Sequence, residues 1–222
     1  MIRMIAPVLL LSLVGSGCSQ AVPDKAPDKA VSPANARATG PGAADTPEPL
    51  PDTVRVRLDT EAGPITIVLD VKHAPITASN FVHYVDKHRF DGTTFYRAAR
   101  TKNNEKEGFV QGGIRRDYTR MFPPIRHEPT SETGLRHEAG TVSMAYREPG
   151  DAMGDFFIIT RAMPDMDAKP GKPGFAVFGK VTDGMATVRK ILAAPTIKGG
   201  NGAMKDQIIQ QPVRIVKAER VD

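Results

Sequence analysis

The sequence predicts a mainly β domain, folded as an antiparallel barrel or sandwich, from three observations. Short apolar segments recur between turns rich in Gly and Pro, only two segments have the period of a helix, and the strand–helix–strand rhythm of a parallel sheet is absent. The chain has 222 residues, of which 40% are hydrophobic, and this suffices for one such domain with tails.

A hairpin opens the folded part of the chain. From Thr53 onward, Val54, Val56 and Leu58 alternate with charged residues, which is the pattern of a strand with one buried face. Ala62–Pro64 provides a turn, and a second apolar run follows it. Two antiparallel strands are therefore expected at the start of the domain.

Two helices and six further strands are predicted after the hairpin. Pro75 suits the first turn of a helix, and the apolar residues that follow it at helical spacing define one buried face. A second helix is predicted over Met185–Leu192. The remaining short apolar segments read as strands at Thr94–Arg97, Phe109–Gln111, Thr141–Ala145, Phe156–Thr160, Ala176–Val181 and Val213–Val221.

The first 51 residues have a different composition and predict targeting rather than folding. An arginine, the apolar run Ile5–Val14 and small residues precede Cys18, which is the layout of a secretory signal. Residues 19–51 contain "PDKAPDKA" and much Pro and Ala, without a period of 2 or 3.6. We therefore predict a signal peptide over 1–17, a disordered tether over 18–51 and a folded domain over 52–222.

Cys18 is the chain's single cysteine, and its place after small residues resembles a bacterial lipobox. That resemblance implies cleavage before Cys18 and lipidation of its thiol, although Gly15 stands where leucine is usual. The expected location is the bacterial cell envelope, lipid-anchored and facing the periplasm. The outer membrane is preferred because Ser19 is not the aspartate that retains some lipoproteins at the inner membrane. An ordinary cleaved signal and an uncleaved segment remain the alternatives.

Several function classes find no support in the residues. A single cysteine excludes an intrachain disulfide, the five histidines lack HExxH spacing, and Ser143 lies in an apolar strand without GxSxG. The segment Pro170–Gly174 is basic and rich in Gly but is not a P-loop. The net charge is +5, but the Lys and Arg residues form no stripe interleaved with aromatics, which a nucleic-acid-binding surface would need. We expect no metal, no cofactor and no nucleic-acid partner.

The stretch "FYRAARTKNNEKEGFVQGG" offers an arginine and a glutamine among aromatics, without a nucleophile. Arg97 and Gln111 suit a reaction that makes no covalent bond, such as rotation about an X–Pro bond, whose barrier is about 18–20 kcal/mol. Twisting the amide makes the prolyl nitrogen a hydrogen-bond acceptor, and a guanidinium is a permanently charged, rigid set of donors. Such a site would bind the twisted amide better than the planar one.

An ordered series of motifs then resembles the cyclophilin-type peptidyl-prolyl isomerases over Thr53–Asp222. The motifs are "APITASNFVHYVDKHRFDGTTFYR", "FVQGG", "GTVSMA", "FFIIT" and "FAVFGKVTDGM". The resemblance implies a closed eight-stranded antiparallel β-barrel capped by two helices. It also implies a cofactor-free isomerase for proline-containing polypeptides, here those of folding or unfolded envelope proteins. We expect a monomer.

The resemblance assigns roles to individual residues. Arg97 matches the family's catalytic arginine and Gln111 its pocket glutamine. The positions that match substrate-binding residues are Phe109, Ala145, Tyr146, Phe157, Met166 and Phe175.

Four departures from the family pattern leave rival functions open. Gly108 stands where a pocket Phe is usual, Tyr146 replaces an Asn, Asp155 a Gln, and Asp165 a Trp or Phe. They predict weaker substrate binding and a weak enzyme. One rival is a cyclophilin-like module, with little or no catalysis, that binds proline-containing segments as a chaperone. The other is a structural envelope lipoprotein, favoured if the long stretch after Arg97 fills the pocket.

Overall fold

Eight strands and three helices form the part of the chain that the computed structural model describes, which is residues 49–115, 117–199 and 202–222. The predicted signal peptide, Cys18 and nearly all of the predicted tether lie outside these residues. The strands are β1 (Thr53–Thr60), β2 (Gly63–Asp70), β3 (Thr94–Thr101), β4 (Asn104–Gly113), β5 (Thr141–Met144), β6 (Asp155–Ile159), β7 (Val177–Asp183) and β8 (Ile208–Val221). The helices are α1 (Pro75–Asp86), α2 (Thr130–Thr133) and α3 (Met185–Leu192).

The strands close into an antiparallel barrel in the order β1-β2-β7-β5-β6-β4-β3-β8. The long strand β8 closes it, because β8 pairs with both β1 and β3. The prediction of a closed eight-stranded antiparallel barrel is confirmed. The described residues form one compact unit.

Side chains that alternate along the strands fill the barrel. In β1, every second residue is buried, so the pattern that predicted a half-buried strand is present in the fold. Helix α1 covers the barrel with Phe81, whose ring lies 4.8 Å from Phe90 and 5.2 Å from both Phe156 and Phe178, centroid to centroid. No helix among the described residues has the length and hydropathy to cross a membrane.

The strands β3 and β4 are longer than the sequence predicts. The stretch after Arg97 continues both strands into a hairpin, instead of forming a loop over a pocket. Gly108 permits the close approach, since a Cβ at this position would lie 1.9 Å from the carbonyl oxygen of Ala99. Gly108 also exchanges hydrogen bonds of 2.9 Å with Thr160, so this residue lies inside the sheet.

Helix α2, a single short turn, was not predicted, and the segment before it caps α1. Glu128 is 3% exposed and accepts hydrogen bonds from the backbone N–H groups of Ile76 and Thr77, at 3.1 and 2.7 Å. The Thr77 hydroxyl donates to the same carboxylate at 2.6 Å. A distant acidic side chain thus satisfies the first turn of α1, which lacks a capping side chain of its own.

Candidate active site

Three neighbouring strands bring the predicted catalytic residues together. Arg97 on β3 lies opposite Gln111 on β4, and Gln111 lies opposite Phe157 on β6. The register of β3 against β4 shifts between Phe95 and Arg97. Such an irregularity changes the alternation of side chains along a strand.

The guanidinium of Arg97 is held in a fixed orientation by three acceptors. Its Nη1 donates to Gln111 Oε1 at 2.9 Å, its Nε to Gln207 Oε1 at 2.8 Å, and its Nη2 to the carbonyl oxygen of Ala203 at 2.7 Å. The guanidinium carbon also lies 4.9 Å from the centre of the Phe109 ring. Burial lowers the pKa of Arg97 from its usual value, but arginine keeps its charge in proteins. Among the described residues, these bonds leave one N–H on each terminal nitrogen for a further acceptor.

An aromatic cluster lies beside this guanidinium. The ring of Phe157 lies 5.3 Å from Phe109 and 5.2 Å from Phe175, and Phe175 lies 4.9 Å from Tyr146. The neighbouring Phe156 points the other way and is fully buried in the barrel core. The alternation of a strand therefore separates a core phenylalanine from one on the face that carries Arg97.

The loop between β6 and β7 carries Met166 and Phe175. The Phe175 N–H donates to the Met166 carbonyl oxygen at 2.9 Å, which joins the middle of the loop to its last residues. The hydroxyl of Tyr146 donates to the carbonyl oxygen of Gly174 and so fastens the loop to the end of β5. Tyr146 therefore braces the loop, where the family's asparagine would contact substrate backbone.

A hydrogen-bonded set of three side chains, His137, Asp167 and Ser143, holds the same loop against the barrel. His137 Nδ1 lies 2.6 Å from Asp167 Oδ1, and His137 Nε2 lies 2.9 Å from Ser143 Oγ. The imidazole stacks on Phe157 at 6.2 Å. Burial lowers the pKa of His137 below its usual value, while Asp167 acts in the opposite direction. Ser143 is fully buried, so this arrangement positions the loop rather than exposing a nucleophile.

A cavity of about 410 Å³ lies beside Gln111, which binds Arg97, and beside Tyr146, which belongs to the aromatic cluster. Three predicted site residues line it, namely Gln111, Ala145 and Tyr146. Its other lining residues are Tyr96, Arg115, Arg147, Asp151, Met153, Asp155 and Met204. The eight residues predicted for catalysis and substrate binding thus form one connected group on one face of the barrel.

The remaining departures do not block this face. Asp165 is exposed and pairs with Lys169 at 2.9 Å, so the rim is charged where an aromatic is usual. The tip of the β3–β4 hairpin, residues 102–106 with the turn at 102–103, is exposed and does not line the cavity. The reading in which this stretch fills the pocket finds no support in the fold.

The sequence analysis missed two of the three residues that accept hydrogen bonds from Arg97. Ala203 and Gln207 come from the segment between α3 and β8, which has no periodicity or motif to mark it. Tyr96 stood in the quoted stretch, but a regular strand would have turned it away from Gln111. Among the described residues, no group of three or more His, Cys, Asp or Glu could hold a metal ion.

A family model described as cyclophilin type peptidyl-prolyl cis-trans isomerase/CLD matches residues 54–220. The chain belongs to the cyclophilin-type peptidyl-prolyl cis-trans isomerase family. A peptidyl-prolyl cis-trans isomerase A of Dickeya dadantii is 34% identical over 172 residues, covering 74% of this chain and 86% of that protein. The isomerase cyp18 of Streptomyces antibioticus is 32% identical over 168 residues, covering 74% and 96%.

Solved structures agree with the cyclophilin fold. A cyclophilin-type isomerase of Cryptosporidium parvum matches with a TM-score of 0.58 at 20% identity, over 77% of this chain and 98% of the other. The same protein, solved in the presence of the dipeptide Ala-Pro, matches with a TM-score of 0.59 at 20% identity, over 76% and 99%. At this identity the likeness concerns the barrel alone.

Proposed function

We propose that the cyclophilin domain catalyses cis/trans isomerisation of X–Pro bonds through Arg97, with Gln111 orienting the guanidinium. The observation that carries this proposal is the position of Arg97, which is fixed by three acceptors and borders the cluster of Phe109, Phe157 and Phe175. A proline ring needs an apolar surface, and the amide beside it needs a donor when it twists. This face supplies both.

The chemistry requires neither a nucleophile nor a proton transfer. As the X–Pro amide rotates, it loses resonance, and the prolyl nitrogen gains a lone pair that accepts hydrogen bonds. An N–H of Arg97 that the described residues leave unbonded donates to this nitrogen or to the adjacent carbonyl oxygen. The guanidinium does not reorganise during the step, since Gln111, Gln207 and Ala203 already hold it. The twisted amide is therefore bound more tightly than the planar one.

The substrates are extended, proline-containing polypeptide segments. The cavity beside Gln111 is lined by Ala145 and Tyr146 at the end of β5, where neighbouring residues of a substrate would lie. The Ala-Pro dipeptide present with the Cryptosporidium relative supports a proline ligand for this domain as well. Asp165 offers a charge where the family has an aromatic contact to the peptide, and Tyr146 is bonded to Gly174 instead of to the peptide backbone. We therefore expect modest peptide affinity.

Turnover separates the isomerase from a module that only binds. Wild-type protein should accelerate exchange of an Ala-Pro peptide in a protease-coupled or NMR exchange assay. Arg97→Ala should lower kcat/KM on the order of 100-fold, as for loss of a preorganised donor. The exposed Arg136 provides the matched variant, and Arg136→Ala should keep the wild-type rate. Peptide binding by the wild type without turnover would instead establish the binding module.

We further propose that the chain is anchored in the bacterial envelope by a lipid on Cys18 and acts there on folding or unfolded proteins. This rests on the amino-acid pattern around Cys18. Labelling of expressing bacteria with an alkyne fatty acid should tag the wild type but not Cys18→Ser. Equal labelling of both, or none of either, would refute the anchor without affecting the isomerase proposal.

A further inference from the structure

Four side chains form a continuous line of hydrogen bonds that ends on the guanidinium of Arg97. Asp155 Oδ1 accepts from the Tyr96 hydroxyl at 3.1 Å, and this hydroxyl accepts from Gln111 Nε2 at 2.7 Å. Gln111 Oε1 then accepts from Arg97 Nη1 at 2.9 Å. Neither Tyr96 nor Asp155 has a role in the mechanism given above.

The chemistry of the two ends fixes the direction of every bond in this line. Arg97 can only donate, so the amide oxygen of Gln111 must face it and the amide nitrogen must face Tyr96. A carboxylate at Asp155 can only accept, so the Tyr96 hydroxyl directs its proton there and its lone pairs to Gln111. Without that carboxylate the hydroxyl could donate to Gln111 instead. The flipped amide would then place its NH₂ group against the guanidinium, donor against donor.

Irregular strand geometry makes the arrangement possible. Successive residues of a regular strand point to opposite faces, yet Tyr96 and Arg97 both bind the side chain of Gln111. The register shift at this point of β3 accounts for it. Asp155, at the start of β6, is also fixed by the backbone N–H of Arg115, which donates to Oδ1 at 2.9 Å.

The middle of the line is shielded from water. Tyr96 is 3% exposed and Gln111 is 6% exposed. Burial raises the pKa of Tyr96 far above its usual value, and the nearby Asp155 adds to this, so the hydroxyl keeps its proton. A partner lost here is not readily replaced by solvent, and the orientation of Gln111 depends on its neighbours.

We propose that Tyr96 and Asp155 are positioning residues of the isomerase, which fix the Gln111 amide so that its oxygen holds Arg97. The inference rests on the proposed function. Asp155, which departs from the family's glutamine, thereby has a task in this chain: it is the acceptor that sets the direction of the line.

The test is a double-mutant cycle in kcat/KM for an Ala-Pro peptide. Tyr96→Phe keeps the ring and removes the hydroxyl, and it should lower kcat/KM roughly tenfold. In a Gln111→Ala background the same substitution should cost nothing further, because Tyr96 acts through Gln111. An equal loss in both backgrounds, or no loss in the wild type, would overturn the proposal.

Two matched variants separate positioning from general stability. The buried Tyr84 hydroxyl accepts from the Phe122 N–H at 2.9 Å, in the core. Tyr84→Phe should lower the unfolding midpoint but leave kcat/KM unchanged. Asp155→Asn keeps an acceptor oxygen and should retain most activity, whereas Asp155→Ala should match Tyr96→Phe. Equal activity of the two Asp155 variants would contradict the assigned role.

A spectroscopic readout keeps this inference distinct from the proposed function. In ¹H–¹⁵N spectra, the side-chain amide signals of Gln111 should move strongly in Tyr96→Phe and only slightly in Tyr84→Phe. If the wild type shows no turnover, the proposed function fails, and these signals still decide the inference. Unmoved Gln111 signals in Tyr96→Phe would refute it.

Discussion

Glu128 is a buried carboxylate whose loss leaves the first turn of α1 without a partner. It accepts three hydrogen bonds from Ile76 and Thr77. Glu128→Ala should lower the free energy of unfolding by about 1–3 kcal/mol in urea titrations, because buried donors remain unsatisfied. Glu105, exposed in the β3–β4 hairpin, provides the control, and Glu105→Ala should be neutral within about 0.5 kcal/mol. Equal effects of the two substitutions would contradict this role.

The lowered pKa of the buried His137 predicts how the free energy of unfolding depends on pH. Burial lowers its pKa in the folded protein, so between the two pKa values the unfolded chain binds more protons. The free energy of unfolding should therefore fall as pH decreases through about 6.5, by at most about 1.4 kcal/mol per pH unit from this residue. Urea titrations between pH 5 and pH 8 measure it.

The matched variants make the histidine prediction specific. His137→Gln should remove this part of the pH dependence, although it also lowers stability at every pH. The ring of His88 is 68% exposed, and at pH 8 His88→Asn should change the free energy of unfolding much less than His137→Gln does. A slope that is the same in His137→Gln as in the wild type would assign the effect to other groups.

At the level of single residues, motif order singled out Arg97 and Gln111, and the fold places their side chains in contact. All eight predicted catalytic and substrate-binding residues lie in one connected group, while their roles stay predictions. What the sequence could not indicate is how Arg97 is held. Its partners Ala203 and Gln207 are more than 100 positions away, and two of the three acceptors come from a segment without periodicity.

Among the elements, the β3–β4 hairpin depends on Gly108. Its φ is +150°, and an added Cβ would meet the carbonyl oxygen of Ala99 at 1.9 Å. Gly108→Ala should lower the free energy of unfolding by roughly 3 kcal/mol or more, from strain and overlap together. Gly134, at the end of α2, also has a positive φ but open space around it, so Gly134→Ala should cost only about 1 kcal/mol. Equal losses of free energy of unfolding in the two variants would mean that the hairpin backbone shifts to accommodate the added Cβ, which would contradict this role of Gly108.

Regular elements were predicted more accurately than irregular ones. The helix Met185–Leu192 has its predicted limits, and α1 begins at Pro75 as expected. The extension of β3 and β4 into a long hairpin was missed because the exposed half of β4 is charged and lacks apolar alternation. The register shift at Tyr96 was missed because it depends on pairing with two neighbouring strands, β4 and β8.

For the whole molecule, closure of the barrel links distant parts of the chain to one site. The strand β8 pairs with β1 and β3, and the residues just before it bind Arg97. The antiparallel class and the number of strands followed from the residue pattern and the turn spacing, whereas closure into a barrel rather than a sandwich followed from the family resemblance. Pairing between segments so far apart leaves no local signal in the chain.

The central claim is that a planar guanidinium, held rigid by the barrel, binds the twisted X–Pro amide. The most direct test compares wild type with Arg97→Lys by NMR exchange spectroscopy on an Ala-Pro peptide, together with the peptide's dissociation constant. Lysine keeps the charge but not the fork of donors, so kcat/KM should fall at least about tenfold while peptide affinity changes little. A lysine variant that isomerises the peptide at the wild-type rate would contradict the account.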